Sequence, residues 1–280
     1  MKSIAIISCY MGKLPWYFDY FIHSCRYNPT VNFIIITDDM EDKKLLPPNI
    51  LILHKTLDEI NNIASTKLGF QVKIKSGYKL CDFKPAYGLL FEDLLAPYDF
   101  WGHADIDIIF GNIRNFITDS TLDNYDLIAV RHDFLTGYFL LFRNNEKLKW
   151  LFSHSRDYER VFRDEIHYCF DETNFHFQDF EAKMHYSQIQ SDVESMTHVA
   201  KRLDEHKYIR AYFDYHVIEG AYGKLCWDNG KLMYKNKFEA ILYHLIMFKT
   251  IYFPKKTAET IPDKFNISRT RIYKPRNINR

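Results

Sequence analysis

Along the first hundred residues, short runs that are apolar throughout alternate with stretches whose apolar residues recur at helical spacing. Residues 4–9 (Ile-Ala-Ile-Ile-Ser-Cys), 32–37 (Asn-Phe-Ile-Ile-Ile-Thr) and 50–54 (Ile-Leu-Ile-Leu-His) read as buried strands. Residues 14–25 read as a helix, and 57–68 have helical composition. Tyr87, Leu89, Leu90, Leu94 and Leu95 give 84–95 a helical spacing, and 100–104 form the next strand. Strands alternating with helices predict an α/β fold with a mostly parallel central sheet and helices on both faces.

Beyond residue 107 the pattern changes. Residues 127–131 and 138–142 are strand-like, with Gly137 at the bend between them, and 146–162 look helical. Residues 163–208 are rich in His, Asp, Glu, Gln and Phe with weak periodicity, which predicts loops and short helices in a smaller second region. Asn229-Gly230 between two apolar stretches predicts a hairpin with a two-residue turn. Residues 239–248 are the last apolar segment. No repeat or low-complexity linker interrupts the chain, so one domain over 1–254 is expected, followed by a different segment at 255–280.

Composition narrows the class. A chain of 280 residues that is 47% hydrophobic and 17% aromatic can bury a large core. Its net charge of +1 gives no basic excess, so no nucleic-acid partner is expected. Charge is concentrated at the end: 255–280 carries eight basic residues against Glu259 and Asp263. Two readings stay open there. One is a solvated tail wrapping the domain. The other is peripheral contact with an anionic membrane surface, where each basic residue is worth about 1 kcal/mol. The five cysteines are scattered without a CxxC pair, which suits reduced thiols in a cytoplasmic protein and neither a zinc site nor a disulfide framework. The N-terminal apolar run is too short for a secretory signal, and no stretch reaches the roughly 18 apolar residues that span a bilayer.

The candidate chemistry lies in Tyr98-Asp99-Phe100-Trp101-Gly102-His103-Ala104-Asp105-Ile106-Asp107. An Asp-x-Asp triplet means little by itself in a chain with 23 aspartates. Its position is what carries weight, because functional carboxylates of α/β sheets lie at the carboxyl ends of strands. Side chains alternate along an extended chain, so Asp105 and Asp107 are expected to point the same way. Two hard carboxylates converging on one point suit Mn²⁺ or Mg²⁺. Such a cation can hold a sugar nucleotide by its diphosphate and stabilise the charge on the departing nucleotide.

The Asp pair and the strand order before it resemble the GT-A nucleotide-sugar glycosyltransferases. More closely, Tyr78-Lys79-Leu80-Cys81-Asp82-Phe83-Lys84-Pro85-Ala86-Tyr87-Gly88, followed by the Asp-pair strand, is similar to a bacterial family encoded in polysaccharide loci. The similarity covers roughly residues 1–250. It implies a GT-A fold that moves a hexose from a UDP-sugar to a saccharide or lipid-linked acceptor, at the cytoplasmic face of a membrane or free in the cytoplasm. It implies that Asp105 and Asp107 ligate the metal, that His244 completes the metal shell and that Lys249 grips the diphosphate. Retaining families with a His-x-Gly motif carry Gly and Lys-Pro-Trp in this stretch, and Tyr243-His244-Leu245-Ile246-Met247-Phe248-Lys249 departs from that.

Tyr10, after the first strand, matches the place where such enzymes stack an aromatic ring on the nucleobase. Asp38 is expected to accept from a uracil imide, or to form a turn. Asp82 and Lys84 are expected at the ribose, base or diphosphate, or as caps of the next helix, and His103 among the nucleotide-sugar contacts. On the acceptor side, Asp171 and Glu172 are the candidate acceptor-binding carboxylate or general base. Two other classes stay open: a HAD-type phosphohydrolase, which also uses Asp-x-Asp after a strand but near its chain start, and a noncatalytic carbohydrate-binding protein on the same fold.

Overall fold

Strands β1 (Ile4–Tyr10), β2 (Val31–Thr37), β3 (Ile50–His54) and β4 (Phe100–Ala104) run parallel in the order β3-β2-β1-β4. The computed structural model describes residues 1–40, 46–214, 216–220, 223–254 and 260–275. After β4 the chain leaves this sheet for β5 (Ile108–Phe110). It returns through β6 (Leu127–Ala129), β7 (Phe139–Arg143) and β8 (Ala211–Phe213), so the seven-stranded order is β3-β2-β1-β4-β7-β6-β8. Only β7 runs against its neighbours; the other four pairings are parallel. The fold is therefore a mixed α/β structure around a large, mostly parallel sheet.

Burial on both faces explains the uninterrupted apolar runs. In β1, Ile4 and Ile6 join Phe18, Phe21 and Cys25 of helix α1 (Phe18–Arg26) on one side. Ala5 and Ile7 join Ile60 and Ala64 of helix α2 (Leu57–Leu68) on the other. Helix α2 begins on a reciprocal Thr56–Glu59 capping box and ends at Gly69 in the left-handed region, at φ 76°.

Two small sheets follow. Strands β9 (Val217–Glu219), β10 (Leu225–Asp228), β11 (Lys231–Tyr234), β12 (Phe238–Ala240) and β13 (Leu242–His244) divide between them, and β14 (Lys264–Ile267) and β15 (Ile272–Tyr273) complete the second. The order β5-β13-β9 ties the C-terminal half back to the strand after the Asp pair, with His244 opposite Ile108. The order β12-β11-β10-β14-β15 is antiparallel throughout. Its β10–β11 hairpin turns on Asn229 and Gly230, both at positive φ as the expected two-residue turn requires.

Four expectations need correction. The tail is anchored as well as solvated where it is described: Phe265, Ile267 and Ile272 of β14 and β15 are buried against Trp227, while Lys264, Arg269, Arg271 and Lys274 are exposed. Its basic residues 255, 256, 276 and 280 lie outside the described residues. The helix expected at 14–25 starts only at Phe18. The helix expected at 84–95 is a 3₁₀ segment, Gly77–Ala86, followed by two single turns, because Pro85 lacks the amide a continuous helix needs. The helix expected at 146–162 breaks into three pieces. Ser155 is extended there, and its hydroxyl donates to the Glu194 carbonyl at 2.6 Å. No described helix is long and apolar enough to cross a membrane, and all five cysteines are free thiols.

Candidate metal and nucleotide site

Asp105 and Asp107 lie in the bend between β4 and β5, not on an extended strand. Backbone bonds pin that bend: Asp105 N–H donates to the Tyr138 carbonyl at 3.1 Å, and Leu245 N–H donates to the Asp107 carbonyl at 2.8 Å. The second bond is where β13 docks, and it carries His244 to the Asp pair. One ligand atom from each of Asp105, Asp107 and His244 lies within 4.8 Å of the others. Two carboxylates and an imidazole are a fitting donor set for a divalent cation. The nitrogen donor favours Mn²⁺ over Mg²⁺.

Charge around the cluster is tightly compensated. Lys249 Nζ meets Asp107 at 2.6 Å and His244 Nε2 meets it at 3.4 Å. Burial alone would raise the Asp107 carboxyl, but His244 and Lys249 hold it well below the carboxylate range. The reverse holds for His244. Burial would lower its pKa, and bonds to Asp107 and Glu219 raise it to about 9. A metal at this nitrogen must displace that proton. On the imidazole's far side Nδ1 meets Glu219 Oε1 at 3.5 Å.

Lys84 organises the other half. It is nearly buried, 2.6 Å from Asp105 and 3.6 Å from Asp171. Burial would depress its ammonium, but Asp105, Cys81 and Asp171 outweigh that and raise it well above the ordinary lysine value. Asp171 and Glu172 stand behind Lys84 and off the pocket wall. Glu172 accepts from Gly137 N–H at 2.6 Å. Burial raises both carboxyls, most strongly Asp171, against the pull of Lys84.

A cavity of about 350 Å³ opens over the cluster, walled by Tyr10, Tyr17, Tyr78, Lys84, Lys249 and the Asp pair. The structure thus brings together Tyr10, Lys84, Asp105, Asp107, His244 and Lys249. It withdraws three expected residues from the wall. Asp38 accepts from Gly12 N–H at 2.6 Å, bracing the loop after β1. Asp82 is fully buried, bonded to Lys79 at 2.9 Å and to the amides of Tyr168 and Phe170. His103 is fully buried, its Nδ1 3.0 Å from the Gly137 carbonyl, and burial followed by the Lys84 charge pushes its pKa well down.

Sequence reasoning missed Glu219 and Tyr17. Nothing near Glu219 in the chain marks it; only the parallel pairing of β9 with β13 sets it opposite His244. Arg131, read only as the end of the strand-like run 127–131, holds Glu219 from behind and reaches Asp133 and Glu181 with its remaining donors. No curated protein is significantly similar to the chain. A family sequence profile matches residues 6–276, nearly the whole length, and on that match the chain belongs to a family of unknown function, DUF6625.

Proposed function

We propose that this protein is a metal-dependent glycosyltransferase of the GT-A type, moving a hexose from a UDP-sugar to a saccharide or lipid-linked acceptor in surface polysaccharide synthesis. The observation that carries the reading is the arrival of His244 beside Asp105 and Asp107 under a cavity of nucleotide size. Residues 139 positions apart in sequence have no local reason to converge there.

Asp105, Asp107 and His244 would hold Mn²⁺ or Mg²⁺. A cation held there would supply positive charge to a donor diphosphate and to the leaving nucleotide. The other roles fall to the chain itself. Lys249 offers a point charge to the diphosphate. Tyr10 and Tyr17 offer ring faces to the base. Lys84 fixes Asp105 and screens it from Asp171. Asp171 and Glu172, behind Lys84 and off the pocket wall, hold Lys84 and the Gly137 amide in place rather than meet the acceptor.

Calorimetry with UDP tests the reading. UDP should bind tightly with Mn²⁺ and at least about tenfold more weakly without it, the loss of one strong contact. Equal affinity for UDP, ADP and GDP, or no effect of Mn²⁺, would sink it.

A further inference from the structure

A second cavity opens at the same edge of the central sheet as the Asp pair. Strands β6 and β8 run parallel to each other, and both β4 and β6 run against β7. The carboxyl ends of β4, β6 and β8 therefore face one way, the side where α/β sheets bind ligands. The cavity over β6 and β8 encloses about 420 Å³ and shares no wall residue with the nucleotide pocket. That volume falls in the usual range for small-ligand sites, roughly 300–1,000 Å³.

Its walls are aromatic and polar together. Phe213 and Tyr186 supply ring surface, while Asp133, Lys183, Lys201, Asp204 and Glu205 supply charge. Lys201 comes from the helix Met196–Glu205, and its ammonium sits 4.5 Å from the Phe213 ring centroid. It forms no ion pair with any described residue. Burial lowers its pKa, against the opposite pull of Asp133 and Asp204. A half-buried ammonium with carboxylates near it but none in contact keeps its donors open to an acceptor. Asp204 spends one oxygen on Ala211 N–H at 2.8 Å, and Asp133 is committed to Arg131.

We infer that this cavity binds a neutral, hydroxyl-rich saccharide, which under the proposed transfer reaction is the acceptor. Sugar rings present apolar C–H faces that pack on aromatic rings, and their hydroxyls both donate to carboxylates and accept from an ammonium. The wall's three carboxylates and two lysines nearly balance, which suits an uncharged ligand. Ion pairs link the cavity wall to the Asp105–Asp107–His244 cluster: Asp133 to Arg131, Arg131 to Glu219, Glu219 to His244. Only the word acceptor rests on the transferase reading; saccharide binding does not.

The test is a glycan microarray probed with the full chain, with and without UDP and Mn²⁺, beside the calorimetry described above. The wild type should retain neutral glycans that share a terminal residue. Lys201→Met, which keeps most of the packing on Phe213, should lose about tenfold in affinity, the size of one charge-assisted hydrogen bond. Its melting temperature should stay at the wild-type value. Phe213→Leu is the second variant, weakening the same glycans through the ring face. Binding of no glycan, of acidic glycans alone, or unchanged binding by Lys201→Met in a folded protein overturns the inference. Glycan binding without UDP–Mn²⁺ binding upholds this site and removes the transferase. UDP–Mn²⁺ binding without glycan binding does the opposite.

Discussion

Glu219 and His244 stand directly opposite each other on parallel strands β9 and β13, with the Glu219 carboxylate 3.5 Å from His244 Nδ1. Asp107 approaches the other ring nitrogen, so the imidazole is clamped edge to edge between two carboxylates. This is the arrangement in which a carboxylate orients a metal-binding histidine and strengthens it as a ligand. Arg131 fixes the outer carboxylate in turn.

Glu219→Gln should therefore weaken Mn²⁺ binding without touching a proposed ligand. The amide keeps the shape but not the charge, and loss of such a partner typically costs about 10–100-fold in metal affinity. Arg131 keeps Asp133 and Glu181, so the fold should hold. Mn²⁺ titration followed by electron paramagnetic resonance reads the affinity directly. An unchanged value would mean that Glu219 only packs.

Asp107→Asn acts on a proposed ligand itself. The change removes one of two anionic donors and leaves Lys249 and His244 facing a neutral amide. Mn²⁺ should no longer raise the melting temperature, and turnover of a UDP-sugar should fall to the level seen in EDTA. Full wild-type turnover in EDTA would remove the metal from the reaction altogether.

How much of this was legible in the chain depends on the range of the contact that decides it. Strands β1, β2 and β4 read directly, because burial on both faces leaves a nearly continuous apolar run such as 33–36, and the edge strand β3 read from its apolar composition although Leu51 is exposed. The Asn229-Gly230 turn read for a local reason as well, its backbone geometry. Strands β5, β8 and β9 have three residues each and no pattern to detect. Yet β9 carries Glu219, and pairing with β5 is what brings β13 and His244 to the Asp pair. Asp82 illustrates the opposite error. Its acidic motif looked chemical, but the fold spends the carboxylate on Lys79 and two loop amides, which no local pattern reveals.

Gly137→Ala should damage both the fold and the site. A Cβ there would lie 2.3 Å from Asp171 Oδ2 and 3.2 Å from Lys84 Nζ. Both side chains are buried and paired with each other, so neither can withdraw freely. Overpacking of this kind costs about 1–3 kcal/mol. The Lys84–Asp105 contact should loosen with it. Urea unfolding should show the loss, and UDP–Mn²⁺ calorimetry a weaker donor site; wild-type values in both would mean that the Asp171 loop shifts at no cost.

The final prediction concerns acid stability and a histidine away from the Asp105–Asp107–His244 cluster. His198 is buried on the helix Met196–Glu205, with Nδ1 2.8 Å from Ser195 Oγ and its ring against Phe180. Burial lowers its pKa from 6.5 to about 4; Glu194 pulls it up, while His176 and Arg156 push it down. Between those two values the unfolded chain binds a proton that the folded protein refuses. Stability from this group is therefore complete above about pH 6.5 and falls as the pH drops toward 4, by an amount of order 2 kcal/mol. Below pH 4 the folded protein takes up the proton too and the loss stops growing. Other groups titrate in the same window, so the comparison must be differential. Urea midpoints of the wild type and of His198→Gln should converge as the pH falls from 7 to 4.5, because the amide has no proton to gain. Parallel curves over that range would show that His198 titrates alike in the folded and unfolded states.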